Sequence, residues 1–117
     1  MTVKRIVANL PAAQISEVQD FYTRLFDLDV VMDHGWIVTL ASGAAAAVQI
    51  SIASQGGSGT PVPDLSIEVD DVDTVFARAE SLGLDIVYGP ADESWGVRRF
   101  YVRDPAGKLL NILAHPG

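Results

Sequence analysis

The sequence predicts an α+β domain written as a β-α-β-β-β unit used twice. Three observations predict it. The same order of strand and helix signals appears on both sides of a break. The break itself, Ala53 to Pro63 (ASQGGSGTPVP), is rich in Gly, Ser and Pro, a composition that favours a mobile connection over packed structure. The chain closes on an alternating hairpin around Asp104-Pro105-Ala106-Gly107. Its 117 residues, nearly half of them apolar, fit one domain with a full core. We therefore read one domain over 1–117, with module one at 1–53, a linker at 54–63 and module two at 64–117.

Module one opens with a strand, Lys4 to Leu10. A helix follows, in which Ile15, Val18, Tyr22, Leu25 and Phe26 recur at helical spacing, and Ser16 with Gln19 forms a capping box. Strands are expected near Leu28–Met32, Trp36–Ala41 and Ala46–Ile52. Module two opens with Asp64 to Val69. Its helix has Asp71 as cap, Val72, Val75, Phe76, Ala79 and Leu82 on one face, and Gly83 as terminator. Strands follow near Leu84–Tyr88, Arg98–Arg103 and Lys108–Ala114. The repeat is visible in the residues too: Asp29-Val30-Val31 after the first helix matches Asp85-Ile86-Val87 after the second.

Alternation assigns each strand two faces. Leu65, Ile67 and Val69 suit a buried side, leaving Asp64, Ser66 and Glu68 opposite. Val48, Ile50 and Ile52 oppose Ala47, Gln49 and Ser51 in the same way, and Ile6, Ala8 and Leu10 oppose Arg5, Val7 and Asn9. In the closing hairpin Arg98, Phe100 and Val102 oppose Arg99, Tyr101 and Arg103, and Leu110 and Ile112 oppose Leu109, Asn111 and Leu113.

Composition excludes several classes of function. No stretch reaches the ~20 apolar residues of a membrane-spanning helix, and MTVKRIVANL has no signal-peptide layout. Without cysteine there is no disulfide framework and no thiol chemistry, which suits the cytoplasm. A net charge of −7 argues against nucleic acid and towards a cationic small molecule, although Arg98, Arg99, Arg103 and Lys108 cluster on the hairpin.

Three features carry a family resemblance: Phe21-Tyr22 late in helix one, the run Val69-Asp70-Asp71-Val72-Asp73 before helix two, and the Asp104-Pro105-Ala106-Gly107 turn. In this order and spacing the chain resembles the vicinal oxygen chelate superfamily, which contains glyoxalases, bleomycin-resistance proteins and dioxygenases. The resemblance covers essentially the whole chain. It implies a curved mixed sheet around a central cavity lined by the second faces named above. The alternatives are an ordinary ferredoxin-like α+β domain, which explains the strands and helices but not the doubled three-strand tail, and an antiparallel sheet whose second faces simply meet solvent.

Metal-dependent members hold a divalent ion with two histidines and two glutamates. Matched by motif, those positions are Val7, Gln49, Asp64 and Asn111. One carboxylate and no imidazole is too poor a donor set for tight divalent binding. His34, in a predicted loop, and His115, at the end of the last strand, share no ligand spacing. No metal and no cofactor are therefore expected.

Without a metal, Glu68 is the candidate general base if burial raises its pKa, with Asp64 as the other carboxylate. The two lie ~13 Å apart along a strand, too far to share a proton. No Ser-His-Asp arrangement appears, and Gly56-Gly57-Ser58-Gly59 lacks the Lys-Ser/Thr of a phosphate loop. Trp36 and Trp95, placed near strand ends, would clamp a planar or cationic guest beside Asp64 and Glu68. The resulting binding set is Trp36, Gln49, Asp64, Ser66, Glu68, Trp95, Arg99, Tyr101 and Asn111. The reading is a metal-free binder of a small organic ligand, cationic or aromatic, acting as a homodimer. The rivals are an enzyme using Glu68 or Asp64 as base, with Arg99 and Tyr101 positioning an anion, and a module that receives a peptide.

Overall fold

The computed structural model describes residues 8, 10–43, 51 and 53–116. Module two is built as its sequence pattern demands. Strand β3 (Leu65–Glu68) leads into helix α2 (Val72–Ser81), and β4 (Asp85–Asp92), β5 (Arg98–Arg103) and β6 (Leu109–Ala114) complete a sheet of order β3-β6-β5-β4. Strands β3 and β6 run parallel, the other pairs antiparallel. The Asp71 carboxylate accepts the Thr74 N–H at 3.2 Å, satisfying one of the donors that a helix start leaves unpaired. Gly83, at φ +68°, lets the chain turn out of α2 at little steric cost.

One face of this sheet is the core. Phe100, Val102, Leu110 and Ile112 are fully buried under α2, and Phe100 meets Phe76 edge-on at 5.3 Å. Each such side chain contributes about 1.5–3 kcal/mol by leaving water. Arg98 emerges on the helix side and pairs with Asp73 at 2.9 Å, in agreement with the expected alternation.

Module one contributes helix α1 (Ile15–Phe26) and the antiparallel hairpin β1 (Asp29–Asp33) and β2 (Val38–Ala41). Two contacts tie it to module two. The buried Tyr22 hydroxyl donates to Asp104 Oδ2 at 2.7 Å. Arg78 of α2 donates to the Leu25 carbonyl at 2.8 Å and pairs with Asp27 at 3.2 Å, placing a cation at the negative C-terminal end of α1. The Tyr22–Asp104 bond joins two of the motifs on which the resemblance rests. Asp104 Oδ1 also accepts the N–H groups of Ala106 (2.9 Å) and Lys108 (2.8 Å), so one buried carboxylate closes the hairpin turn and anchors α1.

Four expectations are corrected or bounded. The capping box does not form: α1 starts at Ile15 behind Gln14, which makes no side-chain cap bond, and Ser16 is already helical. Trp36 does not begin a strand; it stays in the turn closed by His34 N–H to the Ile37 carbonyl, 76% exposed. The linker touches the sheet at Gly56, Gly57 and Thr60, while most of its other residues are exposed. The expected strands Lys4–Leu10 and Ala46–Ile52 fall outside the described residues, apart from Ala8, Leu10 and Ser51.

Candidate functional site

On the helix side of module one the described residues frame an apolar space, walled by side chains such as Val18, Leu40, Leu65 and Ile67 that also pack against the core. A cavity of about 680 Å³ opens between α1, the turn and strand around β2, and the inner face of β3. Helix α1 contributes Ile15, Val18, Gln19 and Tyr22; the β2 segment contributes Trp36 and Leu40; β3 contributes Leu65 and Ile67. The volume falls in the range that accepts drug-sized molecules. Among the described residues no charged side chain lines it. Tyr22 presents its ring, since its hydroxyl is held by Asp104, and among the described lining residues the polar side-chain groups left are those of Gln19, Thr39 and the Trp36 indole N–H. Burial and the neighbouring Asp104 carboxylate both push the Tyr22 phenol well above its ordinary pKa. It is a neutral wall at physiological pH.

The opposite face of the module-two sheet holds most of the residues expected to bind a ligand, and the linker closes half of it. Arg99 is 3% exposed and Tyr101 fully buried. Arg99 donates to the carbonyls of Gly56 (2.8 Å) and Gly57 (3.3 Å), and the Tyr101 hydroxyl bonds Thr60 at 2.9 Å. The guanidinium lies 5.0 Å from the Trp95 and Tyr101 ring centres and 5.4 Å from that of Tyr88, a cation enclosed by aromatic faces. Glu93 completes the latch: its carboxylate accepts from Ser58 and Tyr88 and stands 3.7 Å from Arg99 Nε. Those two hydroxyl donors, with Arg99 adding less, hold the Glu93 carboxyl below the usual carboxylate range. The glycines of the linker are needed here. Gly57 adopts φ +85°, and a Cβ on it would stand 2.7 Å from the Trp95 ring.

The rest of that face remains open. Ser66 and Asn111 are register partners, and Asn111 Nδ2 donates to Ser66 Oγ at 3.1 Å. Asn111 is 8% exposed, and its Oδ1 is buried with no partner among the described residues. Glu68 is exposed and meets His115 at 3.2 Å, so the burial that a raised-pKa base requires is missing. Asp64 Oδ2 accepts the Leu109 N–H at 2.7 Å and Asp64 N–H donates to the Leu109 carbonyl at 2.8 Å, a brace between β3 and β6. Gln49 lies outside the described residues. The structure thus brings Arg99, Tyr101 and Trp95 together and sets Ser66 beside Asn111. It puts Trp36 on the apolar cavity, which Trp95 does not line.

The donor set does not fit a divalent ion. Val7 carries no donor atom, and Asn111 offers a neutral amide whose nitrogen is turned onto Ser66. One Asp64 oxygen is committed to backbone. Among the described residues no group of three or more His, Cys, Asp or Glu side chains could hold a metal ion.

A small α+β domain with a doubled motif and a sizeable apolar cavity defines a class, and comparison with known proteins gives the family. Residues 6–114 match the model of the glyoxalase-like domain, and the chain belongs to that family. The fold is that of the vicinal oxygen chelate superfamily. Similar solved structures include TnmS3, an antibiotic binding protein from Streptomyces sp. CB03234 (22% identity, 99% of each chain, TM-score 0.74). TioX from Micromonospora sp. ML1 is 21% identical over 97% of this chain and 98% of its own, with TM-score 0.66. Lactoylglutathione lyase from Agrobacterium tumefaciens is 19% identical over 97% and 96%, also with TM-score 0.66. These likenesses are likenesses of fold. No curated protein matches the sequence.

Proposed function

We propose that this chain is a metal-free binding protein that sequesters a small organic molecule with an aromatic or otherwise apolar body. The observation that carries the reading is the cavity between α1, β2 and β3: it has ligand size, aromatic walls and, among the described residues, no charged lining. Such a site gains affinity from burial and gives specificity through few polar groups, here Gln19, Thr39 and the Trp36 indole N–H. The weak donor set at Asp64 and Asn111 supports binding without a metal. The fold shared with an antibiotic binding protein, TnmS3, agrees with this use. Exposure of Glu68 speaks against its acting as a base. The same reading has the protein working in the cytoplasm as a homodimer. Val31, 60% exposed, and Val30, 42% exposed, give β1 an apolar edge for a second copy.

The test is titration of EDTA-treated protein with Nile red, a neutral planar dye. The expected result is saturable one-to-one binding with blue-shifted emission, unchanged by added zinc, nickel or ferrous ion and weakened at least tenfold by Val18→Arg, which puts a charge on the cavity wall. Binding that appears only after metal is added, or that ignores Val18→Arg in a folded variant, would falsify the proposal.

A further inference from the structure

The apolar cavity has a neighbour. A second, more open cavity adjoins it, and the two share Ile15, Gln19 and Val38 as a common wall. The two differ in charge. Among the described residues the first has no ionisable lining side chain except the Tyr22 phenol, which stays protonated, and the second has Asp33 as its charged group. Asp33 closes β1, and its Oδ1 accepts the Gly35 N–H at 2.8 Å, which fixes the carboxylate in the turn. Its Oδ2 has no partner among the described residues. The surroundings reinforce the sign of the site. Over residues 10–43, Glu17, Asp20, Asp29 and Asp33 outnumber the one fixed cation, Arg24, which lines neither cavity; Asp27 is set aside because it is paired with Arg78.

We infer that the guest is an aromatic monoamine, its ring system in the apolar cavity and its protonated amine carried past Gln19 to Asp33 Oδ2. This rests on the proposed binding function and names the ligand class that the same site selects. An anionic guest is disfavoured twice, since no described residue of the apolar cavity is a cation and Asp33 repels it. A neutral guest fills the first cavity and leaves the second to water. The gain from the amine is that of a solvent-exposed ion pair, about three- to fivefold in affinity, and it is screened by salt. Aromatic burial therefore sets most of the affinity, and Asp33 sets the preference for charge.

The experiment is displacement of Nile red from the full chain by 1-naphthylmethylamine and by its uncharged analogue 1-naphthalenemethanol. The wild type, Asp33→Asn and Asp20→Asn are compared. Asp33→Asn keeps an amide oxygen for the Gly35 N–H and removes only the charge. Asp20, on α1, lines neither cavity. The expected result is that the amine displaces dye at three- to fivefold lower concentration than the alcohol in the wild type and in Asp20→Asn. In Asp33→Asn the two become equal through weaker amine binding, with the alcohol unchanged, and 0.5 M salt narrows the wild-type gap. A preference that survives Asp33→Asn, or that Asp20→Asn removes equally, overturns the Asp33 assignment while leaving the cavity reading in place. If the dye itself does not bind, both fall together.

Discussion

Replacing Tyr22 by Phe removes one hydroxyl and, with it, the bond that ties α1 to the β5–β6 turn. The Tyr22–Asp104 contact is 2.7 Å long and buried, and its acceptor is a carboxylate. Hydrogen bonds to charged groups contribute about 1.5–3 kcal/mol. Asp104 keeps its two backbone donors in the variant, so the loss belongs at that scale and not at that of an orphaned charge. With about 2.1 cal/mol/K of unfolding entropy per residue, a chain of this length loses about 6–12 °C of Tm. Asp104→Ala removes all three side-chain bonds and leaves the Tyr22 hydroxyl unpaired, for about 3–5 kcal/mol. Calorimetry of both single variants and the double variant isolates the shared term. The account expects a coupling of at least about 1.5 kcal/mol. A Tyr22→Phe shift below about 2 °C with no coupling would show that the contact does not join the modules.

Two further outcomes follow from the same geometry. Gly57→Ala forces a side chain into φ +85° and against Trp95, so it should cost about 1–3 kcal/mol and shift Trp95 emission as the linker lifts from Arg99, both read in one thermal melt followed by fluorescence. Tyr22 also predicts an alkaline limit. Its phenol pKa is raised in the folded state, so its contribution is complete below the ordinary value near 10 and is lost as pH rises above it, by at most about 1.4 kcal/mol per pH unit. Tm measured from pH 9 to 11 should fall more steeply in the wild type than in Tyr22→Phe.

Module two was legible because its signals are local. Arg99, Tyr101 and Arg103 alternating with Phe100 and Val102 mark the faces of β5, the Asp104-Pro105-Ala106-Gly107 turn sets β6 beside it, and Asp71 and Gly83 bracket α2. The contacts of the linker are not legible because Gly, Ser and Pro have two meanings. The same glycines that loosen a free chain also let Gly56 and Gly57 approach Tyr101 and Trp95 closely. Arg99 was placed on the right face, but its partner Glu93 sits beyond β4 in a segment with no period to mark it. The cavity was hidden for a deeper reason. Ile15, Val18, Leu65 and Ile67 carry the apolar spacing of a packed core, and periodicity reports which side avoids water, not whether that side is filled. The Tyr22–Asp104 bond joins two recognised motifs across 82 positions, a separation that no local pattern bridges.

The central claim is that a guest enters on the helix side of the sheet and needs no metal to do so. Amide and indole chemical-shift mapping in EDTA, with 1-naphthalenemethanol as the guest, tests it most directly. Shifts gathered at Val18, Gln19, the Trp36 indole N–H, Leu40 and Leu65 are the result this account predicts. Shifts gathered instead at Ser66, Asn111 and Glu68, or absent until a divalent ion is supplied, would contradict it.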